Sequence, residues 1–404
     1  MLGLEHRLSH STSRLKLHSY MQNRRPKRVI IFCLPGIGDA ILFTPALALL
    51  RRSLPEAKIT VLTMFKGTAN LLETNPDVNE VRYFDFFKAG KQAGLRYVWR
   101  LRQEGFDLSI MPFPSNRLEY NLVNRLVGRR WRAGHRYQHQ SWRNLWFLNN
   151  VVVREDSSLH NVVENLRLVR AICETVGAPV SEPEMPSDRE GQLQRIHLKL
   201  VLTPDDERHG REFLAKQGIA EDALLFGFHT YSSVFKNMTK KCWDKEKFIR
   251  LIHRLGEAYA DARFLIFSGP SDEEVNQYIM QHVDQRVLLV REANLRHALA
   301  VLKYCRVFIS NDSAMMHLAA AQNVPVAALF GPTDWNRLHP WISQYLIVRK
   351  DLPCMPCFFY SSRPLECVAN IDYACMRDIS VDEVFAAVQN LLAQANAKTL
   401  TPSR

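Results

Sequence analysis

The stretch that most narrows the fold is Val307 to Pro332, VFISNDSAMMHLAAAQNVPVAALFGP. An apolar run, Val307 to Ser310, stops at Asn311-Asp312-Ser313, residue types that end strands and cap helices through a side-chain oxygen. The segment Ala314 to Ala321 is built of Ala, Met and Leu, all good helix formers, and carries His317 one turn in. Asn323 closes it, Val324 to Phe330 reads as a buried strand, and Gly331-Pro332-Thr333 is the turn that leaves it. A strand, a short helix and a second apolar strand make one step of a parallel α/β sheet. Ligands of such sheets sit at the carboxyl ends of strands, where helix N-termini offer free N–H groups to anions. Asp312 and Gly331 both end strands at that edge, which suits a diphosphate; a packed crossover without a ligand is the alternative.

The same grammar recurs at the start of the chain. Arg28 to Cys33 is an apolar strand, and Leu34-Pro35-Gly36-Ile37-Gly38-Asp39 follows it as a tight turn with Asp39 at its tip. Thr44-Pro45 then reads as an N-cap and first helical residue, opening a helix Ala46 to Ser53. The third glycine and the downstream acid of a dinucleotide fingerprint are missing, which argues against a dehydrogenase. Asp39 is either a working carboxylate or a helix cap.

Strands are expected at 58–63, 80–84, 107–111, 224–229 and 263–268, with helical spacers, hence doubly wound parallel sheets. At 404 residues the chain suits two domains, and Ala178 to Gln194, rich in Pro, Ser and Glu, reads as the linker. The expected layout is a basic arm over 1–27, a first domain over 28–177, the linker 178–194 and a second domain over 195–375. That second domain opens with a short strand near Ile196 and a helix capped by Thr203-Pro204. Ser380 and Glu383 form a capping box, and the helix over 376–396 is expected to dock back on the first domain.

A net charge of +12 favours acidic partners without choosing among them. No apolar run is long enough to span a bilayer and the N-terminus lacks an apolar leader core, so a cytoplasmic location is expected. The basic arm could meet an anionic inner-membrane surface, and the stretch Arg125 to Arg143, where arginines alternate with Trp131, Tyr137 and Trp142, could mark nucleic-acid or interfacial binding. For the latter, a solvated helix end followed by a strand is the alternative. Of eight cysteines, four cluster late: Cys354, Cys357, Cys367 and Cys375 could hold a structural zinc ion, or remain buried reduced thiols.

Two segments carry a resemblance: RVIIFCLPGIGDAILFTPALALLRRSLPEAKITVLT at the N-terminus, and N-D-S followed by M-H-L-A-A-A and V-P-V-x-A-L-F-G-P-T in the opening stretch. Both resemble signatures of glycosyltransferase family 9, the lipopolysaccharide heptosyltransferases. The resemblance implies a GT-B architecture of two Rossmann-like domains facing a cleft, and inverting transfer of heptose from ADP-heptose to the inner core of lipopolysaccharide. It implies no cofactor, no nucleic acid, a nucleotide-sugar donor on the second domain and a phosphorylated glycolipid acceptor on the first. Carried over residue by residue, Asp39 is the catalytic base. Gly36, Gly38 and Arg117, which lies in the loop Pro112 to Arg117, face the acceptor. Ser232, Ser233, Lys241, Glu273, Asp312, Ser313, Ala314, His317 and Gly331 face the donor. Tyr231 and Ala314 stand where the family favours glycine. A transferase using another nucleotide sugar, or a binder of nucleotide sugars or polyanions without turnover, are the rival readings.

Overall fold

The computed structural model describes residues 25–139, 141–180, 196–342, 344–359 and 363–399. The basic arm up to residue 24 and the linker over 181–195 lie outside them. The described residues form two parallel six-stranded sheets.

In the first sheet β1 (Arg28–Cys33) pairs on one side with β2 (Lys58–Thr63), which pairs with β3 (Glu80–Tyr83). On its other side lie β4 (Leu108–Ile110), β5 (Trp131–Arg136) and β6 (Val151–Arg154), giving the order 3-2-1-4-5-6. The second sheet repeats this order. Its β7 (Leu225–His229) pairs with β8 (Arg263–Ser268), then β9 (Val287–Arg291), on one flank, and with β10 (Val307–Asn311), β11 (Val326–Leu329) and β12 (Tyr345–Val348) on the other. The order is that of a Rossmann fold, and its ligand crevice opens where successive crossovers diverge, between β1 and β4 and between β7 and β10. The chain therefore has the expected GT-B architecture. Val29 to Phe32 and Val307 to Ile309 are fully buried, as strands covered by helices on both faces must be.

Helix α1 runs over Ile37–Ser53, starting eight residues before Pro45 instead of with it. A proline inside a helix strands the carbonyl four residues back, here Ile41. The Thr44 hydroxyl donates to that carbonyl at 2.7 Å, so the helix continues unbroken. Asp39 therefore sits in the first helical turn, with Gly36 as N-cap, and not at the tip of a loop.

Helices α2 (Lys66–Leu72), α3 (Phe86–Gln103), α4 (Leu118–Val127) and α5 (Asn161–Val176) complete the first domain. The expected strand at Ile196 does not form. Over 196–203 the backbone is held by the first domain instead: the Lys199 amide donates to Thr44 Oγ1 (2.9 Å), Thr74 Oγ1 donates to the Val201 carbonyl (2.7 Å), and Asn75 Nδ2 to that of Lys199 (3.1 Å). With those groups satisfied by side chains, Lys199 and Val201 have fewer backbone groups to offer a strand neighbour.

In the second domain follow α6 (Pro204–Lys216), α7 (Lys245–Ala258), α8 (Glu273–Met280), α9 (Leu295–Leu302) and α10 (Ala314–Ala321). They are followed by α11 (Trp335–Leu338), α12 (Ala374–Arg377) and α13 (Val381–Thr399). The Thr203–Asp206 pair makes a full capping box on α6. Contrary to expectation, α13 packs within its own domain: Val384, Val388 and Leu391 join the core of Phe248, Leu251 and Ile309, against α7 and strands β10 to β12. Its apolar stripe meets the nearest uncovered sheet face, and the chain between β12 and α13 leads it there.

Candidate functional site

The two sheets direct their crevices at each other, and α1 of the first domain packs on α10 of the second. The approach is close: a side chain at Gly38 would place its Cβ 3.0 Å from His317 Cδ2 and 3.6 Å from Ala314 Cα. Two helix N-termini, each following the central strand end of its sheet, thus meet in one cleft.

From the first domain comes Asp39. Its carboxylate accepts the Gly36 N–H at the start of α1, so the capping reading of this residue is partly right. Its pKa is pushed up to about 7, first by burial and then by the Asp312 carboxylate, against the pull of Lys241 and the Gly36 amide. Tyr120 lies within electrostatic reach of Asp39, and the Arg117 guanidinium stands 5.7 Å over the Tyr120 ring. Across from Arg117 is Lys236, whose ammonium is held below its ordinary pKa by burial and by that guanidinium.

From the second domain come half-buried Lys241 and buried Asp312, 2.7 Å apart, with the Thr333 hydroxyl donating to the same Asp312 oxygen at 2.8 Å. Burial raises the Asp312 pKa, but the charge and hydrogen bond of Lys241, with Thr333, outweigh it and leave the acid below its usual range. This fixed anion adds to burial, the larger cause, in making Asp39 hold its proton.

His317 is buried, its pKa lowered to about 4 by desolvation, so the ring is neutral near pH 7. Its Nδ1 has no hydrogen-bond partner among the described residues. Ser313 is the N-cap of α10 by position but makes no side-chain cap there; its hydroxyl lies 2.9 Å from His229 Nδ1 and 3.1 Å from Ser310 Oγ. The first N–H groups of α10 are consequently without a side-chain cap. Asn311 is occupied as well, accepting the Trp243 amide at 2.9 Å. At Gly331 any Cβ would lie 2.6 Å from Met376 Cγ and Sδ, so only glycine lets α12 close behind the β11 end.

The structure brings Gly36, Gly38, Asp39, Lys241, Asp312, Ala314 and His317 to one place. Ser232 and Ser233 lie on the loop after β7, the Ser233 hydroxyl accepting the Phe235 amide at 3.2 Å. Glu273 is turned outward in an exposed ion pair with Arg291, while its neighbour Asp272 is buried, accepts the Gly269 amide at 2.6 Å and stands 3.8 Å from His229 Nε2. Asp272, His229, Thr333 and Tyr120 escaped the sequence reading. An acid directly after a Gly-Pro turn was the available signal for Asp272; the others come together only in space.

The four late cysteines influence one another, the Cys375 thiol being raised to about 11 by burial and by Cys357, and Cys367 lowered by surrounding backbone amides. Yet among the described residues the one group of three or more His, Cys, Asp or Glu ligand atoms within 4.8 Å of one another is His209, Glu292 and His297. No three of the four cysteine Sγ atoms lie within that distance of one another among the described residues.

Comparison with known proteins agrees with this geometry. The model of glycosyltransferase family 9 (heptosyltransferase) matches residues 95–367. The chain is 28% identical over 162 residues to lipooligosaccharide heptosyltransferase 2 of Campylobacter jejuni, which covers 39% of this chain and 48% of that protein. To lipopolysaccharide heptosyltransferase 3 of Escherichia coli it is 25% identical over 316 residues, 75% of this chain and 83% of the relative. The match thus spans about half the length of the former and most of the latter. Among solved structures, a glycosyl transferase family 9 protein of Veillonella parvula superposes with a TM-score of 0.70 at 21% identity, covering 91% of this chain and 98% of that one. The E. coli ADP-heptose lps heptosyltransferase II gives 0.66 at 19% identity, covering 92% and 99%. With two Rossmann-like domains facing across Asp39 and Lys241, and a family model matched over more than half its length, this chain belongs to glycosyltransferase family 9.

Proposed function

We propose that the protein is an inverting glycosyltransferase that moves a heptose from ADP-heptose to the lipopolysaccharide inner core at the cytoplasmic face of the inner membrane. The observation that carries this reading is the juxtaposition of Asp39, with a pKa near 7, and the Lys241–Asp312–Thr333 cluster beside the uncapped start of α10.

A base works best when its pKa lies near the operating pH, since it is then both largely ionised and strong enough to take a proton. Asp39 meets that condition. It accepts the proton of an acceptor hydroxyl as that oxygen bonds to the anomeric carbon of the heptose. The bond from that carbon to ADP breaks on the opposite face, which inverts its configuration. The departing diphosphate gains negative charge, and the Lys241 ammonium and the free N–H groups at the start of α10 are the donors that stabilise it. Buried neutral His317 packs beneath the reacting groups and excludes water. Arg117, with Lys236 opposite, is suited to a phosphate or carboxylate of the acceptor. In support, one of the similar solved structures is described as an ADP-heptose enzyme acting on lipopolysaccharide.

ADP release from ADP-heptose in the presence of a heptose-deficient core tests the reading. Wild type should release ADP only when the acceptor is present, and Asp39→Ala should lose about 10²- to 10⁴-fold in turnover while keeping donor affinity. A binder without turnover would be indifferent to that substitution, and acceptor-independent or absent release would refute the assignment.

A further inference from the structure

Helix α4 divides its faces unusually. Beside core-packed Val127, Tyr120 and Val123, two of its inward positions are polar: Asn121 and Asn124 are almost fully buried. Asn121 Nδ2 donates to the Asn144 carbonyl at 2.7 Å and its Oδ1 accepts from Asn149 Nδ2 at 2.7 Å. Asn124 Nδ2 donates to Asn149 Oδ1 (2.7 Å) and to the Ala133 carbonyl (3.1 Å). Its leucines face out instead: Leu118, Leu122 and Leu126, spaced by four and so on one ridge, are 41%, 39% and 36% exposed. A surface helix normally shows the reverse pattern.

The adjoining helix α3 extends the ridge. Arg102 Nη1 of α3 donates to the Leu126 carbonyl at 2.7 Å, which ties the two helices side by side. With Val98 and Leu101 of α3 turned inward, Leu95 and Trp99, one turn apart, stand out at 64% and 56% exposure. Phe147, in the short turn packed on α4, adds a ring 59% exposed. Exposed apolar side chains scattered singly need no explanation, but five on two helices packed side by side do.

Its surroundings are cationic. Lys91, Arg96 and Arg100 are exposed on α3, Arg125 lies between the leucines of α4, and Arg129 and Arg130 follow it. No Asp or Glu occurs from Phe86 to Gln103. The one acid on the outer side of α4 is Glu119. Aliphatic and indole side chains framed by Lys and Arg are what an anionic bilayer surface recognises: the apolar groups enter the boundary of the acyl chains and the cations meet the headgroups.

We propose that the α3–α4 face docks the protein on an anionic phospholipid surface. Arg117 and Tyr120, which lie at the first turn of α4 beside Asp39, would then open toward the membrane, so an acceptor anchored by acyl chains reaches the base without leaving the bilayer. This deepens the reading above and rests on it for the identity of the acceptor, whereas lipid binding itself is measured without turnover.

The test uses the full chain and sedimentation with vesicles of phosphatidylcholine alone or with a phosphatidylglycerol fraction. Wild type should partition preferentially onto the anionic vesicles, with the preference screened by salt. The apolar variant Trp99→Ser/Leu122→Ser/Leu126→Ser and the charge variant Lys91→Glu/Arg96→Glu/Arg100→Glu should each lose at least about tenfold in partition, with thermal unfolding and donor affinity as in wild type. Lipid binding that persists in both variants, or is absent in wild type, overturns the proposal. So does a wild-type dimer in sedimentation velocity that the apolar variant turns into a monomer, since the face would then belong to a second copy. Lipid binding as expected without any ADP release would leave the surface standing and refute the transferase reading alone.

Discussion

At the residue scale, Asp39, Lys241 and Asp312 bring three ionisable groups into one cleft. The pKa of Asp39 is raised in the folded protein to about 7 from an ordinary value of 3.8. The folded state therefore binds that proton more tightly than the unfolded chain. The stability this contributes is complete below about pH 4 and is lost as pH rises through about 7. Asp39→Asn, which keeps the shape and removes the charge, should accordingly be more stable than wild type at pH 8, by on the order of 1–3 kcal/mol, with the gain shrinking toward pH 5. Thermal unfolding at the two pH values checks this. Lys241 behaves oppositely: Lys241→Ala would leave Asp312 buried without its cation, costing about 3–5 kcal/mol in denaturant unfolding, and donor binding should fall with it. Asp39 and Lys241 were legible in the sequence because each ends a recognisable motif. Thr333, Tyr120 and His229 were not, because each stands in a different loop or helix and acquires meaning only when both sheets are assembled.

At the scale of elements, strand–helix–strand units built from short apolar runs were readable nearly to the residue: β10, α10 and β11 lie within two residues of where the sequence put them. The failures have local causes. The start of α1 was misplaced because Pro45 normally ends or begins a helix, and a single hydroxyl at Thr44 removes the objection. Thr44→Val should therefore cost about 1–3 kcal/mol, since the Ile41 carbonyl and the Lys199 amide both lose their partner. Gly38 is the point of closest approach between α1 and α10. Gly38→Ala should lower turnover through a shift of α10 while costing about 1–3 kcal/mol, read from kcat and from the unfolding midpoint. The C-terminal helix α13 was assigned to the wrong domain because an apolar stripe says that a helix docks and nothing about which surface receives it.

At the scale of the whole molecule, two copies of one topology are held together by more than the linker. Arg337 of the second domain and Glu155 of the first form a fully buried ion pair at 2.7 Å, and His160 Nε2 lies 3.0 Å from the His339 carbonyl next to it. The sequence could not show this pair, whose members are far apart in the chain. Such a contact ties the two domains together in this arrangement. Arg337→Ala should cost about 3–5 kcal/mol because Glu155 remains buried and uncompensated, and small-angle scattering should register a more open molecule.

The measurement that tests the central claim most directly is the pH dependence of kcat/KM for acceptor-dependent ADP release by the wild-type protein. A base with the pKa of Asp39 predicts a rate that rises with pH, tenfold per unit below the midpoint, and levels off above about 7. A profile flat from pH 5 to 8 would contradict the account, because no carboxylate in that setting would then be taking the acceptor's proton.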